Sequence, residues 1–221
     1  MNDTDRQFLE TVRRTIDPGE VTDLARRLVA VPSYAADHGW EAGVAQLLEE
    51  RLSREGLTVW RQPAVDGRAN LLAMLPGEQS GPPLLMLNGH MDTVPPSTSM
   101  ASSPFTGEVR DGWLWGRGSA DMKGGLAAMA MALIGLRRSG TPPPRPVMLA
   151  AVVAEETGNL GTAALVSTEL RPSFAVVGEP TALAIVVAHK GVDRYRITVR
   201  GRAAHGSIPE RGINAIVLAA R

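Results

Sequence analysis

Short apolar runs that alternate with stretches of helical periodicity restrict this chain to a layered α/β fold. Leu57–Trp60, Asn70–Leu75, Leu84–Leu87, Val147–Ala154 and Phe174–Val177 read as strands, several of them apolar enough to be buried on both faces. Between them lie helices. The chain up to about residue 56 is helical in pattern, with Val44, Leu47, Leu48 and Leu52 on one face and Gly56 placed to end the last turn. Asp121–Arg138 is a long Ala-rich helix that the Pro-rich stretch Thr141–Pro146 stops, and Ala163–Thr168 belongs to another. Pro95–Pro104 reads as a loop, and Glu108–Trp115, centred on Asp111-Gly112, as a hairpin. The arrangement this predicts is a mixed, mostly parallel sheet flanked by helices on both faces.

After Pro180 the texture changes. Ala184–Ala188 and Arg194–Val199 read as consecutive strands, with Tyr195, Ile197 and Val199 alternating with polar residues, and Gly212–Arg221 reads as a helix. A boundary near Thr181–Ala184 divides the chain into a first domain, 1–182, and the start of a small α+β domain, 183–221. Two strands and one helix seldom bury a core alone, so the second domain is expected to be incomplete.

Composition narrows the chemistry. Lys plus Arg and Asp plus Glu are both 23, so no net charge draws the chain to nucleic acid or to an anionic membrane. The longest apolar run without Gly, Leu126–Ile134, falls far short of a membrane span of ~20 residues. The polar start MNDTDRQFLE is unlike a secretory signal, and a cytoplasmic location is expected. There is no Cys, which removes disulfides, thiol catalysis and Cys-ligated zinc together. Any bound metal must be held by His and carboxylates.

Polar residues sit where open α/β sheets place ligand sites, after the carboxyl ends of strands. Leu84–Leu87 runs into Asn88-Gly89-His90-Met91-Asp92, the hairpin into Gly116–Asp121, Val147–Ala154 into Glu155-Glu156, and Phe174–Val177 into Glu179. Carboxylates gathered at one sheet edge repel one another, and a divalent cation is the simplest group that stabilises them. Imidazole with carboxylate suits zinc, cobalt or manganese better than calcium. Asp92, two residues from His90, is placed to accept from the imidazole nitrogen that does not face the metal. Side chains of Glu155 and Glu156 diverge, which implies that one binds metal while the other handles the proton of an attacking water.

Plainer readings exist for each residue. His90 alone would pass for a core histidine. Glu155-Glu156 would pass for an acidic pair opening a helix, Asp121 for a helix N-cap and Glu179 for turn chemistry before Pro180. His205 would pass for an inert exposed residue, and His38 and His189 read as structural or surface residues. Gly116–Gly125 lacks the phosphate-binding patterns.

Taken together, Gly89-His90-Met91-Asp92-Thr93-Val94-Pro95, Gly116 to Gly125, Glu155-Glu156-Thr157-Gly158 and Gly178-Glu179-Pro180-Thr181 resemble, in order and spacing, the M20 metallopeptidase family. That family includes acetylornithine deacetylases, succinyl-diaminopimelate desuccinylases and glutamate carboxypeptidases. The resemblance runs from about Val21 to Arg221 and implies a zinc-exopeptidase-like fold followed by a lid or dimerisation domain. It implies that His90, Asp121 and Glu179 hold a first metal and that Asp121 bridges to a second held by Glu156. One or two ions (zinc, or cobalt or manganese) would then sit in each site. Glu155 would be general base and later proton donor, Asp92 would orient His90, and the Asp121–Met122 peptide would be cis. In the stretch Gly201–Ser207, His205 matches the lid histidine that reaches the partner subunit's site in a homodimer and stabilises the substrate oxyanion. The implied reaction is hydrolysis of the amide bond of an N-acyl amino acid or small peptide.

Family members exceed 300 residues and supply a further His to the second metal. No His follows His205 here, so that site lacks a ligand in this chain. The expectation that follows is a truncated form with little or no activity of its own, the alternative being an inactive remnant.

Overall fold

Local signals set the first three helices. Asn2 caps α1 (Asp3–Arg14): its side chain accepts from the Asp5 amide at 2.8 Å, and the Asp5 carboxylate accepts from the Asn2 amide at 3.1 Å. Asp17 caps α2 (Pro18–Ala30), whose first residue is a proline. In α3 (Ala42–Arg54), Val44, Leu48 and Leu52 are fully buried, one helical turn apart. Gly56, at φ +74°, closes α3: its amide donates to the Ser53 carbonyl and the Leu57 amide to that of Leu52.

The computed structural model describes residues 2–34, 40–98, 100, 103–191, 193 and 195–221. His38, Arg194 and part of the Pro95–Pro104 loop lie outside the described residues. Two compact units are present, Met1–Leu183 and Ala184–Arg221.

In the first unit, β1 (Thr58–Val65), β2 (Arg68–Leu75), β3 (Leu85–His90), β6 (Val147–Val152) and β7 (Phe174–Val177) form one sheet in the order β1-β2-β6-β3-β7. The β1–β2 and β2–β6 pairings are antiparallel; β6–β3 and β3–β7 are parallel. Alternate residues face opposite layers. Leu71, Ala73, Leu75, Leu149 and Ala151 join the core that includes Leu28 of α2, Leu48 of α3 and Leu126 of α4 (Gly124–Arg138). Leu72, Met148, Ala150 and Val152 pack on the other face with Leu165 of α5 (Leu160–Val166). A separate hairpin pairs β4 (Glu108–Arg110) with β5 (Trp113–Trp115); Asp111 (φ +54°) and Gly112 (φ +80°) make the tight turn that Asp-Gly favours.

Register fixes where the strands end. His90 pairs with Val152, and Asn88 with Val177, so β3, β6 and β7 finish on one rim.

The structure corrects the sequence reading at several points. β6 stops at Val152 rather than Ala154, because Ala154 turns to φ +57° and leaves the ladder. The helix expected from Asp121 starts at Gly124. Before it lies a π-type turn, Ser119–Lys123, inside which Asp121 is extended (φ −124°, ψ 98°); the N-cap position of the helix is held by Lys123 and not by Asp121. β7 is exposed along its whole length, as an edge strand with no covering layer among the described residues.

Four charged side chains tie α2, α3 and α4 together. Arg138 donates to Glu20 (2.5 Å) and Glu55 (2.7 Å), and Arg51 donates to the same two carboxylates at 3.2 and 2.5 Å. Hydrogen bonding from Arg138 holds both carboxyls below their usual range, against the opposing effect of burial. A depressed carboxyl stabilises the fold above its unfolded pKa, and that contribution is lost as pH falls through the folded value. Arg138→Met is therefore expected to cost about 1–2 kcal/mol at pH 7, from pairs worth ~0.2–1 kcal/mol each. The difference from wild type should shrink below about pH 4. Urea unfolding at pH 7 and pH 3 checks this; an equal difference at both values would reject it.

In the second unit, α6 (Ala215–Ala219) is capped by Asn214, which accepts from the amides of Ile216 and Val217. A 3₁₀ turn spans Pro209–Arg211, and Arg202 bridges to Ile213. The strands expected over Ala184–Ala188 and Arg194–Val199 are not formed among the described residues. Ile185, Val187, Tyr195 and Ile197 are exposed. Alternation supplies a strand with an apolar face but not with a neighbour for its backbone groups, and no ladder forms without one. The helix expected over Gly212–Arg221 is confined to α6. No helix among the described residues is long and apolar enough to cross a membrane.

Candidate metal centre

The rim brings the expected residues together. His90, the last residue of β3, is buried, while the Asp121 side chain is 54% exposed. The imidazole Nδ1 lies 2.9 Å from the Asp92 backbone carbonyl and 3.5 Å from its carboxylate. A carbonyl only accepts, so Nδ1 carries the hydrogen and Nε2 is left as the nitrogen that could face a metal. Nε2 is 3.0 Å from Asp121 Oδ1 and 3.7 Å from Glu179 Oε1. Donor atoms of His90, Asp121 and Glu156 all lie within 4.8 Å of one another. Glu179 is not part of that group; it approaches through His90.

Each donor arrives by its own local route. Asp121 is presented by the π-type turn, and the Asp121–Met122 peptide is cis. Glu179 follows β7, whose pairing is extended by the Gly178 amide on the Asn88 carbonyl (3.0 Å). The Thr181 amide then bonds the Glu179 carbonyl, so the turn anticipated at Pro180 is also present. Gly125 allows the start of α4 to approach this strand end: a Cβ there would sit 2.4 Å from the Gly178 carbonyl oxygen. The Asp92 side chain also meets two backbone amides. Its two carboxylate oxygens accept from the amides of Glu155 (3.1 Å) and Glu156 (3.0 Å).

Electrostatics agree with a cation site. Burial alone would push His90 down, but hydrogen bonding and charge from Asp92, with the charge of Glu179, push it up to about 9. Burial works against the Asp92 carboxylate too, yet His90 and the two amides hold Asp92 below the usual range. Burial and neighbouring carboxylates push Glu156 and Glu179 up. Surroundings that favour a proton on Nε2 favour a cation there as well. Two ligand atoms on a tetrahedral zinc-type ion are about 3.3 Å apart, given metal–ligand bonds near 2.0–2.1 Å. The 3.0 and 3.7 Å separations bracket that value. The donor set therefore fits a divalent ion.

Other features were not legible in advance. Lys123 is fully buried beneath the turn, with Nζ donating to the Val31 carbonyl (2.6 Å) at the C-terminal end of α2; burial pushes it down to about 7. Cavities of about 300 Å³ beside Glu20 and Asp23, and about 360 Å³ beside Trp113–Trp115, have none of these donors in their linings. His205 lies in the second unit, exposed, with Nδ1 2.8 Å from Ser207 Oγ. His189 is exposed, with Nδ1 3.0 Å from the Lys190 carbonyl.

A mixed sheet with imidazole and carboxylates collected on one rim defines an α/β protein with a candidate metal centre. Residues 86–220 match the model of peptidase family M20/M25/M40, and the chain belongs to that family. It is similar to the acetylornithine deacetylase of Photorhabdus laumondii, 40% identical over 205 residues that cover 89% of this chain and 52% of the relative. It is also similar to a probable succinyl-diaminopimelate desuccinylase of Staphylococcus epidermidis, 34% identical over 198 residues, 88% of this chain and 48% of the relative. The chain thus spans about half the length of the curated relatives it matches. Among solved structures, aminopeptidase PepT of Bacillus cereus shares the fold with a TM-score of 0.59, at 24% identity over 93% of this chain and 56% of that one. Human carnosine dipeptidase 1 does so with a TM-score of 0.62, at 23% identity over 76% and 40%.

Proposed function

We propose that this chain carries the metal-binding part of an enzyme that hydrolyses the amide bond of N-acyl amino acids or small peptides. The observation that supports it most is the meeting of His90, Asp121 and Glu156 within 4.8 Å, with Glu179 3.7 Å from His90. Residues 1–182 form the catalytic domain, and 183–221 begin a lid or dimerisation domain.

In this reading His90, Asp121 and Glu179 would hold one ion, and Glu156 beside Asp121 would help hold a second. A zinc-type ion supplies a Lewis acid that brings the pKa of bound water to about 7. Glu155 accepts the proton of the attacking water and returns it to the leaving amine. Asp92 keeps His90 in one tautomer and fixes the amides of Glu155 and Glu156, so the two carboxylates leave the same turn toward different tasks. His205, supplied by the partner subunit of a homodimer, donates to the substrate carbonyl as negative charge develops on it. The names of the curated relatives favour an acylated amino acid over a long peptide as substrate.

Elemental analysis of the purified chain after dialysis against zinc tests the reading. About one bound ion per chain is expected, since the first site keeps three protein ligands. A value near zero would reject the metal-centre reading and leave the inactive remnant.

A further inference from the structure

The turn that carries Glu155 and Glu156 is held by more than Asp92. Consecutive backbone amides from Val153 to Glu156 each donate to a side chain from elsewhere in the fold. Val153 donates to Asn70 Oδ1 (3.0 Å) and Ala154 to Glu41 Oε1 (3.1 Å), while Glu155 and Glu156 donate to Asp92. Ala154 takes φ +57°, a conformation that a residue with a Cβ adopts reluctantly. The backbone here is fixed by side chains because the ladder of β6 has already ended.

Glu41 is the unusual member. It stands at the N-cap of α3, where a carboxylate ordinarily accepts from its own helix, yet it makes no such bond. Its side chain turns inward instead and is 2% exposed. Oε1 also accepts from Arg68 Nη1 at 2.9 Å, and the Arg68 guanidinium lies 4.5 Å from the Trp40 ring centre. Oε2 has no hydrogen-bond partner among the described residues. A buried carboxyl oxygen left unpaired is costly, so this placement is poor if stability alone is its purpose.

We propose that Glu41 is a positioning residue for the candidate metal centre: by holding the Ala154 amide it sets the direction in which the Glu155 and Glu156 carboxylates leave the sheet. The inference rests on the metal-centre reading for its functional meaning. Its mechanical part, the restraint of residues 154–156, does not depend on an ion.

Two variants separate positioning from simple ion pairing. Glu41→Gln keeps an oxygen that can accept from Ala154 but loses the charge that faces Arg68. Glu41→Asp keeps the charge but is one methylene too short to reach Ala154. Amide hydrogen exchange of the metal-free chain, resolved by NMR, is the first readout. Glu41→Asp should speed exchange at Ala154, Glu155 and Glu156 by at least about tenfold, with the α4 amides unchanged. Glu41→Gln should stay close to wild type. Zinc titration is the second readout, and Glu41→Asp should weaken affinity about 10–100-fold, the usual cost of losing an outer support. The reverse order of the two variants, or loss of protection that spreads equally through α4, would overturn the proposal. A wild-type chain that binds no zinc would reject the functional reading, while exchange would still decide the role of Glu41.

Discussion

Glu155→Gln is expected to lower turnover of N-acyl amino acids by about 10²–10⁴-fold and to leave the metal content unchanged. Glutamine matches glutamate in shape but cannot take up a proton, so the substitution removes base chemistry without emptying the turn. The Glu155 backbone amide bonds Asp92, and that contact does not involve the side chain. The neighbouring change Glu156→Gln should behave differently, because Glu156 contributes a donor atom to the cluster with His90 and Asp121. There the first loss should be metal affinity. Steady-state kinetics against a panel of acylated amino acids, with metal analysis of each variant, distinguishes the two. If Glu155→Gln loses the ion and Glu156→Gln keeps it, the assigned roles are exchanged. If the wild-type chain holds the ion and hydrolyses none of the panel, this half-length form is catalytically silent.

Asp92→Ala should be the most destabilising change at the rim, costing about 3–5 kcal/mol. Asp92 is 1% exposed, so its replacement leaves the buried His90 imidazole without the carboxylate beside it. It also orphans the amides of Glu155 and Glu156, and each buried donor left unsatisfied costs about 1–3 kcal/mol. For a chain of this size the midpoint of thermal unfolding should fall by roughly 6–20 °C. Asp92→Asn should fall between the two, since its amide oxygen serves one backbone donor and its NH₂ faces the other. A fall of less than about 2 °C for the alanine variant would show that the turn is held by other contacts.

Much of the architecture was legible because it rests on period and punctuation. Phe174–Val177 was bounded correctly by its flanking Pro and Gly, and the Asp-Gly pair located the hairpin turn. His90, the pair Glu155-Glu156 and Glu179 stood out because polar residues that end apolar runs are conspicuous, while the choice of Asp121 and of Glu156 over Glu155 came from the resemblance to the M20 family. What escaped was long-range. Nothing near Glu41 distinguishes it from an ordinary acid at a helix start, and its partner Ala154 lies 113 positions away. The burial of Lys123 also had no local sign, because it is set by packing and by the Val31 carbonyl 92 positions away. Asp121 was read into the helix because an Ala-rich, Gly-rich stretch has no local sign of where a π-type turn gives way to α4. Beyond residue 183, alternation suggested strands, but a strand also requires a neighbour to pair with.

The three parallel strands β3, β6 and β7 deliver their donors to one rim from widely separated stretches of chain. No short peptide from this sequence can grip the ion, because its ligands become neighbours only when the strands are in register. Metal capture by this rim would be a late event, a latch that closes on a sheet already assembled, and a chelator should then loosen the rim before it disturbs the helices.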